Sequence, residues 1–359
     1  MVHRPAIRSS DHRTPTVTES KELSPDELQR LASAITACGE PVCGTLASSV
    51  IAGGGSNLTY RLQDERSRWV LRTPPRVGRT PSAHDVAREH RVTCALGRTD
   101  VPVARAVLLC EDDSVLGVAF SVAEFIDGDA VRVAGDLDRY DDRRLARVSA
   151  GLIEALVALH RVDHVAVGLG DFGRPEGYAS RQIRRWSGQW EIVGAEPLRP
   201  LAAHLVERLG REVPVQRSAA IVHGDYRIDN TLVVDGGDGV AAIVDWELST
   251  IGDPVTDVAS MCAYRHPAFD LIVGEPSAWT SRRLPSADAL AEAYERAGGA
   301  SLADWDFHQG LAFFKVAVIA AGIDHRFRAG ATSGPGFETS GEAVEIYLDL
   351  ALEALRGQS

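Results

Sequence analysis

Hydrophobic and polar residues follow different periods in the first and second parts of the chain. At the start, Ser24-Pro25-Asp26-Glu27 combines an N-cap serine, a proline at the first helical position and an acid three residues after the cap. An amphipathic helix is predicted from there to about Cys38. Short apolar stretches separated by turn residues then predict several strands and one further helix. The strands lie at about 44–71, 105–110 and 118–125, and the helix lies at 82–97.

The pattern becomes helical after 126–129, a segment typical of a linker. A long amphipathic helix is predicted at about 143–161, and helices dominate again from 254 to the end. Between them, two short apolar stretches at 230–234 and 241–244 flank a turn rich in glycine and aspartate. That arrangement predicts a β-hairpin.

These elements predict an α+β protein of two lobes that share a cleft. The N-lobe, residues 24–126, is small and β-rich, and the C-lobe, residues 127–359, is larger and helical. Residues 1–23 are polar at first, rich in Ser, Thr, Pro and Arg, and lack the apolar core of a secretion signal. We therefore predict a disordered N-terminal tail there.

Composition argues against several classes of function. The formal net charge of -12 gives no overall basic charge for binding nucleic acid. No apolar run reaches the roughly 18 residues of a membrane span. Five scattered cysteines include no C-x-x-C pair, which favours free thiols in a reducing compartment over a disulfide framework. We therefore expect a cytoplasmic protein that binds neither nucleic acid nor membrane.

One glycine motif is misleading. Residues 168–173 match G-x-G-x-x-G, the pattern of a dinucleotide-binding loop. Such a loop needs a strand before it and a helix opening through it. Here a helix is predicted before the motif and Pro175 follows it, so a dinucleotide-binding fold is not expected. The serine-hydrolase motif G-x-S-x-G and the zinc-protease motif H-E-x-x-H are both absent from the sequence.

The strongest chemical signal is the run Ile-Val-His-Gly-Asp-Tyr-Arg-Ile-Asp-Asn at 221–230, with Asp245 fifteen residues further on. Asp225 and Asn230 share one loop, and the predicted hairpin returns Asp245 to the same place. Phosphoryl transfer needs such a set. One carboxylate takes the proton of the acceptor hydroxyl, while another carboxylate and an amide oxygen hold Mg²⁺ against the phosphates. Asp and Asn also favour turns for local reasons, but two such elements joined by a hairpin indicate phosphoryl transfer.

With this motif the chain resembles the aminoglycoside phosphotransferase family, a branch of the protein-kinase-like fold. The resemblance runs from about residue 45 to about residue 330. Tracts at 70–72, 82–89 and 181–186 are similar to the kinase-like domain that occurs with acyl-CoA dehydrogenases. The resemblance implies a two-lobed protein-kinase-like fold, ATP and Mg²⁺ as cofactors, and a functional link to acyl-CoA dehydrogenases.

The resemblance also implies roles for the C-lobe motif. Asp225 would be the catalytic base, and Asn230 and Asp245 would be the Mg²⁺ ligands. His223 would support the catalytic loop rather than act as the base. Asp257, on the following helix, would brace that loop.

In the N-lobe the resemblance implies an ATP site. Arg72 lies at the strand position where the family pattern has a lysine on the α- and β-phosphates, and Glu89 matches the acidic partner of that base. A glycine run between strands would approach the phosphates, and a hinge would meet adenine. A hairpin turn, a solvated helix face and core packing are the ordinary alternatives for these features. The loop residues are Gly53, Gly54, Gly55, Ser56 and Asn57, and the hinge residues are Glu124, Phe125 and Ile126.

The two lysines of the chain sharpen this prediction. Lys21 and Lys315 both fall outside the strand that would contact the phosphates. If the chain is an active kinase, Arg72 must supply that charge, and a guanidinium can grip phosphate oxygens bidentately. The missing lysine leaves an alternative from another class, a pseudokinase-like regulator that binds nucleotide with little turnover.

Arginines and tryptophans on C-lobe helices predict the acceptor site. Aminoglycosides are polycations that need converging carboxylates, whereas these helices carry the opposite charge. We therefore predict an anionic or acyl-bearing acceptor, such as a hydroxyacyl-CoA, over an aminoglycoside. Solvated arginines and packed tryptophans are the ordinary alternatives. The predicted residues are Arg181, Arg185, Trp186, Trp190 and Arg326, with Arg184, Arg265 and Arg328 adding charge nearby.

Together these observations predict an ATP- and Mg²⁺-dependent phosphotransferase that acts on a hydroxyl of a small molecule. A recognisable A-P-E element, typical of protein kinases, is absent after Asp245. A protein substrate is therefore not expected.

Overall fold

The structure of the protein is a computed structural model, which describes residues 22–52, 57–75, 85–330 and 337–356. The predicted tail lies outside the described residues except for its last two positions, Glu22 and Leu23. Leu23 is buried in the N-lobe core together with Leu31 and Ile35. The packed part of the described chain therefore includes a residue that the sequence assigned to the tail.

The first helix, α1 (Pro25–Ala37), begins with the predicted capping box. The backbone N–H of Glu27 donates to Ser24 Oγ at 3.3 Å, and the backbone N–H of Ser24 donates to Glu27 Oε2 at 2.8 Å. After it, the described part of the N-lobe contains five strands and two further helices. They are β1 (Ala47–Ala52), β2 (Leu58–Gln63), β3 (Arg68–Thr73), α2 (Val86–Leu96), β4 (Ala106–Cys110), α3 (Asp113–Leu116) and β5 (Phe120–Glu124).

The N-lobe strands form one antiparallel sheet in the order β1-β2-β3-β5-β4. In β3, alternate side chains are buried: Trp69 and Leu71 pack in the core, and Val70 and Arg72 point to the other face. This alternation follows from the two-residue period of a strand. It places Arg72 on the sheet face that the C-lobe covers.

The C-lobe is mainly helical, with short strands around the motif. Its strands form a three-stranded sheet, in the order β6-β8-β9, and a pair of β7 with β10. The strands are β6 (Asp129–Ala130), β7 (Ala220–Val222), β8 (Thr231–Val233), β9 (Val240–Ile243) and β10 (Thr250–Gly252). The helices are α4 (Asp142–Arg161), α5 (Tyr178–Val193), α6 (Arg199–Arg211), α7 (Pro254–Ala263), α8 (Phe269–Val273), α9 (Ala287–Arg296), α10 (Trp305–Arg328) and α11 (Glu342–Arg356).

The predicted hairpin is present as β8 and β9, which pair through Thr231 with Ile243 and Leu232 with Ala242. Beyond the paired residues, the backbone N–H of Val244 donates to the carbonyl of Asn230 at 3.0 Å. The hairpin therefore brings residue 245 beside residue 230, as the sequence predicts. The two-lobed α+β architecture is confirmed.

Helix α10 is long and apolar enough, by length and composition alone, to cross a membrane. In this structure 72% of its most apolar window is buried inside the protein. It packs against α7, α5 and α11, so it is the central helix of the C-lobe core. Lys315 lies in the middle of it and is itself buried.

Candidate active site

The loop after β7 is held by Asp257, which is fully buried at the start of α7. Its carboxylate accepts the backbone N–H of His223 at 2.6 Å and that of Gly224 at 2.8 Å. Gly224 has a φ of +86°, and a Cβ there would lie 2.9 Å from atoms of Leu248. Only glycine fits this turn. The bracing role that the resemblance implies for Asp257 thus has a geometric basis.

His223 lies in the core and is inaccessible to solvent. Its Nε2 lies 2.9 Å from the carbonyl oxygen of Val244, to which the imidazole N–H donates. The imidazole therefore ties the loop after β7 to the end of the β8–β9 hairpin. This position suits a supporting residue and not a base that meets a substrate.

Asp225 is the centre of a small charged network. Asn230 Nδ2 donates to the Asp225 carboxylate at 2.9 Å, and Arg227 Nη2 lies 3.2 Å from the same oxygen. Burial alone would raise the pKa of Asp225, but the charges of Arg227 and Lys315 hold it below its ordinary value of 3.8. At neutral pH Asp225 is therefore an ionised hydrogen-bond acceptor, as a general base must be.

Arg227 is a residue that the sequence reasoning did not single out. It also forms an ion pair with Asp229 at 3.2 Å, and its guanidinium stacks on the rings of Tyr264 and Phe269. Burial would lower the pKa of Arg227, but the carboxylates of Asp225 and Asp229 raise it above its ordinary value. The position, two residues after the candidate base, is the only sequence signal that could have found it.

Asp245 follows β9 and has a φ of 66° and a ψ of 62°, in the left-handed region. Non-glycine residues rarely adopt this conformation, and such outliers cluster at functional sites. Arg72 Nη2 lies 3.1 Å from Asp245 Oδ1, and Arg72 Nε lies 2.8 Å from Glu89 Oε2. Glu89 is buried on α2 and accepts a further hydrogen bond from Asn57 Nδ2 at 2.7 Å. The structure thus brings the predicted N-lobe charges together.

Arg72 is cationic in this network. Burial would lower its pKa, but Glu89 and Asp245 raise it above its ordinary value. The interaction with Glu89 is the one that the sequence predicts. The interaction with Asp245 is additional, and it joins the N-lobe sheet to the C-lobe hairpin.

A cavity of about 590 Å³ lies between the lobes. We call it the interlobe cavity. Apolar side chains of both lobes wall it, and the charged network of Arg72 and Glu89 lies at one side. The predicted residues that line it are Asn57, Arg72, Glu89, Glu124, Phe125, Ile126, Asn230 and Asp245. Gly53, Gly54, Gly55 and Ser56 lie outside the described residues.

Two of the three predicted hinge residues use their backbone N–H groups within the protein. The backbone N–H groups of Glu124 and Phe125 donate to the carbonyls of Arg105 and Arg68, at 2.9 and 3.1 Å. Strand pairing continues through these two residues, so their N–H groups are already used. In this segment Ile126 is left as the residue whose backbone N–H could meet a ligand.

A second cavity, of about 670 Å³, lies on the other side of the loop after β7. We call it the basic cavity, because five cationic side chains and three carboxylates line it. The cations are Arg88, Arg174, Arg181, Arg185 and Lys315, and the carboxylates are Asp85, Glu247 and Asp257. Tyr178 and Trp186 give it an aromatic wall.

The predicted acceptor residues divide into two groups. Arg181, Arg185 and Trp186 line the basic cavity. Trp190 is packed in the C-lobe core, and Arg326 is exposed at the end of α10, away from the residues that line the cavity. Trp190 lies one helical turn beyond Trp186 on the same face of α5, and at that level the face meets the core.

Three further cations of the basic cavity were missed by sequence reasoning: Arg88, Arg174 and Lys315. Arg88 Nη2 donates to the carbonyls of Phe172 and Ser249 at 2.5 and 3.0 Å, and the guanidinium stacks on the Phe172 ring at 3.8 Å. Arg88 thus fastens α2 of the N-lobe to the C-lobe. Lys315 is the only lysine in the described part of the chain, which is the signal that could have found it.

Two short segments, residues 224–230 and 245–247, separate the two cavities. Gly224 and Glu247 face the basic cavity, and Asn230 and Asp245 face the interlobe cavity. Asp225 lies between Gly224 and Asn230 in the chain, and Asn230 Nδ2 donates to its carboxylate at 2.9 Å, so the loop that holds it separates the two cavities. Burial and the charge of Asp245 raise the pKa of Glu247 to about 7.

The donor set of Asn230 and Asp245 fits a magnesium ion. Asn230 Nδ2 donates to Asp225, so the amide oxygen is left for a cation. Within the ranges that the structure describes, no group of three or more His, Cys, Asp or Glu side chains is placed to hold a metal by itself. Mg²⁺ usually takes one or two protein oxygens and fills its remaining positions with phosphates and water.

Two lobes, a cleft between them, and a base loop beside a hairpin that returns an aspartate define a phosphotransferase of the protein-kinase-like class. A model of the Phosphotransferase enzyme family (APH) matches residues 48–311. The chain belongs to this family, which confirms the resemblance seen in the sequence.

Curated relatives carry acyl-CoA dehydrogenase names. The chain is 32% identical over 302 residues to acyl-CoA dehydrogenase family member 10 of Mus musculus, and 32% identical over 295 residues to family member 11 of Homo sapiens. These alignments cover 83% and 80% of this chain but only 28% and 37% of the relatives. The chain thus spans about a third of the length of the relatives that it matches.

Solved structures show the same fold. A crystal structure from Ralstonia eutropha, with a provisional aminoglycoside phosphotransferase name, is 30% identical and has a TM-score of 0.79 over 92% of this chain and 98% of that one. A complex of aminoglycoside phosphotransferase APH(4)-Ia with AMP-PNP and hygromycin B is 14% identical, with a TM-score of 0.60 over 94% of this chain and 99% of that one. At that identity the likeness supports the fold alone.

Proposed function

We propose that the chain transfers the γ-phosphoryl group of ATP, with Mg²⁺, to a hydroxyl of a small molecule. The observation that carries this proposal is that the loop holding Asp225 separates two cavities, with Gly224 lining one and Asn230 lining the other. The interlobe cavity would take the nucleotide and the basic cavity the acceptor. Complexes of structural neighbours with AMP-PNP or ADP support a nucleotide as one ligand.

In the proposed reaction, the Asp225 carboxylate takes the proton of the acceptor hydroxyl. The hydroxyl oxygen forms a bond to the γ-phosphorus, and the bond from that phosphorus to the bridging oxygen of ADP breaks. Arg72 would neutralise phosphate charge from the N-lobe side. Asn230 and Asp245 would hold Mg²⁺, which supplies further neutralisation of the phosphates when bound.

The charges of the basic cavity support an anionic or acyl-bearing acceptor over an aminoglycoside. Five cations line this cavity, and a polycationic antibiotic would meet like charge there. Trp186 offers a flat apolar surface for an acyl chain. The names of the relatives support a functional link to acyl-CoA dehydrogenases, and a hydroxyacyl-CoA is one acceptor of this kind.

A screen of phosphate acceptors tests the function. The protein would be incubated with γ-labelled ATP and Mg²⁺ against hydroxy acids, hydroxyacyl-CoA thioesters, sugars and aminoglycosides, and products would be identified by mass spectrometry. We expect a phosphorylated hydroxy compound, and its loss when EDTA removes the metal. Nucleotide binding without transfer to any acceptor would favour the alternative, a pseudokinase-like regulator.

A further inference from the structure

Lys315 is an unusual group in the centre of the C-lobe. It is 9% exposed, and it lines the basic cavity. Its ammonium donates to the carbonyl of Gly224 at 2.6 Å and lies 3.4 Å from Ser260 Oγ. The ammonium also lies 5.6 Å from the centroid of the Tyr264 ring, so its contacts with the described residues are two hydrogen bonds and one aromatic ring, and none of them is an ion pair.

The charge of Lys315 is only partly compensated by the protein. Asp225 and Asp257 are the nearest acids in its surroundings. Asp225 is engaged by Asn230 and Arg227, and Asp257 accepts the N–H groups of the loop after β7. Because a buried cation is stable only with partners that balance it, a buried ammonium that lines a cavity and has no ion pair among the described residues points to a ligand. Burial lowers the pKa of Lys315, which the two acids oppose.

Arg185 lines the same cavity from α5, which packs on α10. Its positive charge contributes to lowering the pKa of Lys315. The Arg185 guanidinium stacks on the Trp186 ring at 5.2 Å. The ion pairs found among the described residues include neither Arg185 nor Lys315. Two like charges that face a cavity without a paired carboxylate favour an anion between them.

We propose that Lys315 and Arg185 form an anion subsite that holds a carboxylate or phosphate group of the acceptor next to the catalytic loop. This inference rests on the proposed function, and it narrows the acceptor. Lys315 contacts Gly224, the residue immediately before Asp225. An anionic group bound there lies close to the hydroxyl that Asp225 deprotonates.

The subsite therefore selects acceptors whose charge lies within a few bonds of the reacting hydroxyl. A small hydroxy acid or hydroxy phosphate meets this condition. A neutral diol does not meet it. A hydroxyacyl-CoA meets it poorly, because its charges lie at the far end of a long carrier.

The test compares three probes with the same four-carbon skeleton: 3-hydroxybutanoate, butane-1,3-diol and 3-hydroxybutyryl-CoA. Binding is measured by saturation-transfer NMR and calorimetry, so no turnover is required. We expect the wild type to bind 3-hydroxybutanoate more tightly than the diol. Lys315→Met should weaken binding of the acid about ten- to hundredfold, because a hydrogen bond to a charged partner is lost, and should leave binding of the diol unchanged.

Arg185→Met gives a second measurement that does not depend on the folding of the Lys315 variant, because residue 185 is exposed. It should also weaken binding of the acid, and Arg185→Lys should restore most of it, because the charge is kept. Arg326→Met is the matched control. It removes an exposed cation of α10 that the structure places outside the cavity.

The proposal is overturned if the wild type does not distinguish the acid from the diol. It is also overturned if a folded Lys315→Met or the Arg185→Met variant binds the acid like the wild type, or if only the CoA thioester binds. Its failure can be told from failure of the proposed function. Lys315-dependent binding of the acid without phosphoryl transfer from ATP would refute the function alone, and equal phosphorylation of acid and diol would refute the subsite alone.

Discussion

The interlobe cavity and the basic cavity are built in different ways. In the interlobe cavity Arg72 is paired with Glu89 and Asp245, and much of the remaining wall is apolar. Cations of the basic cavity come from α2, α5, α10 and the loop before α5, and they include Lys315, whose charge the protein only partly balances.

The difference shows which ligand each cavity is prepared for. A cavity whose charges are already paired can accept a flat apolar ring without a large electrostatic cost, and its ion pairs can rearrange around phosphates. A cavity with unbalanced positive charge is preorganised for an anion, because the repulsion between its cations is relieved only when the ligand binds. This difference between the two cavities can be tested by substitution and by salt.

Replacing Asp225 should have the largest effect on turnover. Asp225→Asn should lower turnover about 10²–10⁴-fold, because it removes the general base. Binding of ATP and of 3-hydroxybutanoate should stay close to wild type, since neither cavity loses its charged residues. Steady-state kinetics and calorimetry measure the two properties. Asp235→Asn, in the exposed hairpin turn, is the control, and near wild-type turnover of Asp225→Asn would reject Asp225 as the base.

Stability of the shared wall should depend on Asp257. Asp257→Ala leaves the N–H groups of His223 and Gly224 without their acceptor, and we expect a loss of about 3–5 kcal/mol in the free energy of unfolding. Asp253→Ala, which removes the N-cap of α7 and a carboxylate 4.0 Å from His308, should cost less, about 1–2 kcal/mol. Urea unfolding at pH 7 measures both. Equal losses would show that Asp257 is an ordinary helix residue.

The difference in the free energy of unfolding between wild type and Asp257→Ala should depend on pH through the pKa of Asp257. Burial would raise this pKa, but His160 and the loop N–H groups bring it below its ordinary value of 3.8. Since the folded protein binds this proton less readily than the unfolded chain, the stabilisation by Asp257 is fully present above about pH 4 and is lost as the pH falls further. The gap between wild type and Asp257→Ala should therefore be constant from pH 7 to pH 5 and shrink below pH 4.

An effect confined to the interlobe cavity is expected for Arg72. Arg72→Ala should raise the KM for ATP about tenfold, at least as clearly as it lowers kcat, because a charged hydrogen-bonding partner of the phosphates is lost. Binding of 3-hydroxybutanoate should not change. Arg66→Ala, in the exposed turn before β3, is the control. A structure with ATP in which Arg72 points away from the phosphates would refute the assignment.

Salt should produce the smallest difference between the ligand affinities of the two cavities. Raising NaCl from 0.05 to 0.5 M shortens the Debye length, so binding of 3-hydroxybutanoate should weaken by a factor of about two to five. Binding of adenosine, which is uncharged and would meet the apolar wall, should stay the same. Calorimetry at the two salt concentrations measures both affinities. Equal salt responses would show that unpaired charge does not distinguish the cavities.

Sequence reasoning succeeds where neighbours in the chain decide the outcome. The α1 cap follows from Ser24 and Glu27, and the position of Asp245 follows from the hairpin register. Arg72 reaches the interlobe cavity because side chains alternate along β3. Each of these depends on a short-range period or turn that the sequence carries directly.

Sequence reasoning fails where distant elements meet. Arg88 and Glu89 are consecutive on α2, yet they line different cavities, and only the packing of α2 against both lobes decides this. Lys315 is charged but buried, which contradicts the ordinary preference of lysine for the surface. For Phe125, strand pairing takes up the backbone N–H, a detail of the predicted hinge that depends on the neighbouring strand and not on the local sequence.

Arg88 also bears on how activity is controlled. Kinases that are switched on and off often do so by moving the helix that carries the acidic partner of the phosphate-binding base. In this protein that helix is fastened to the C-lobe through Phe172 and Ser249, so an outward swing would break two hydrogen bonds and a stacked contact. Such a helix is built to stay in its working position. If the proposed function is right, the ion pair of Arg72 with Glu89 would then already be in place before a nucleotide binds.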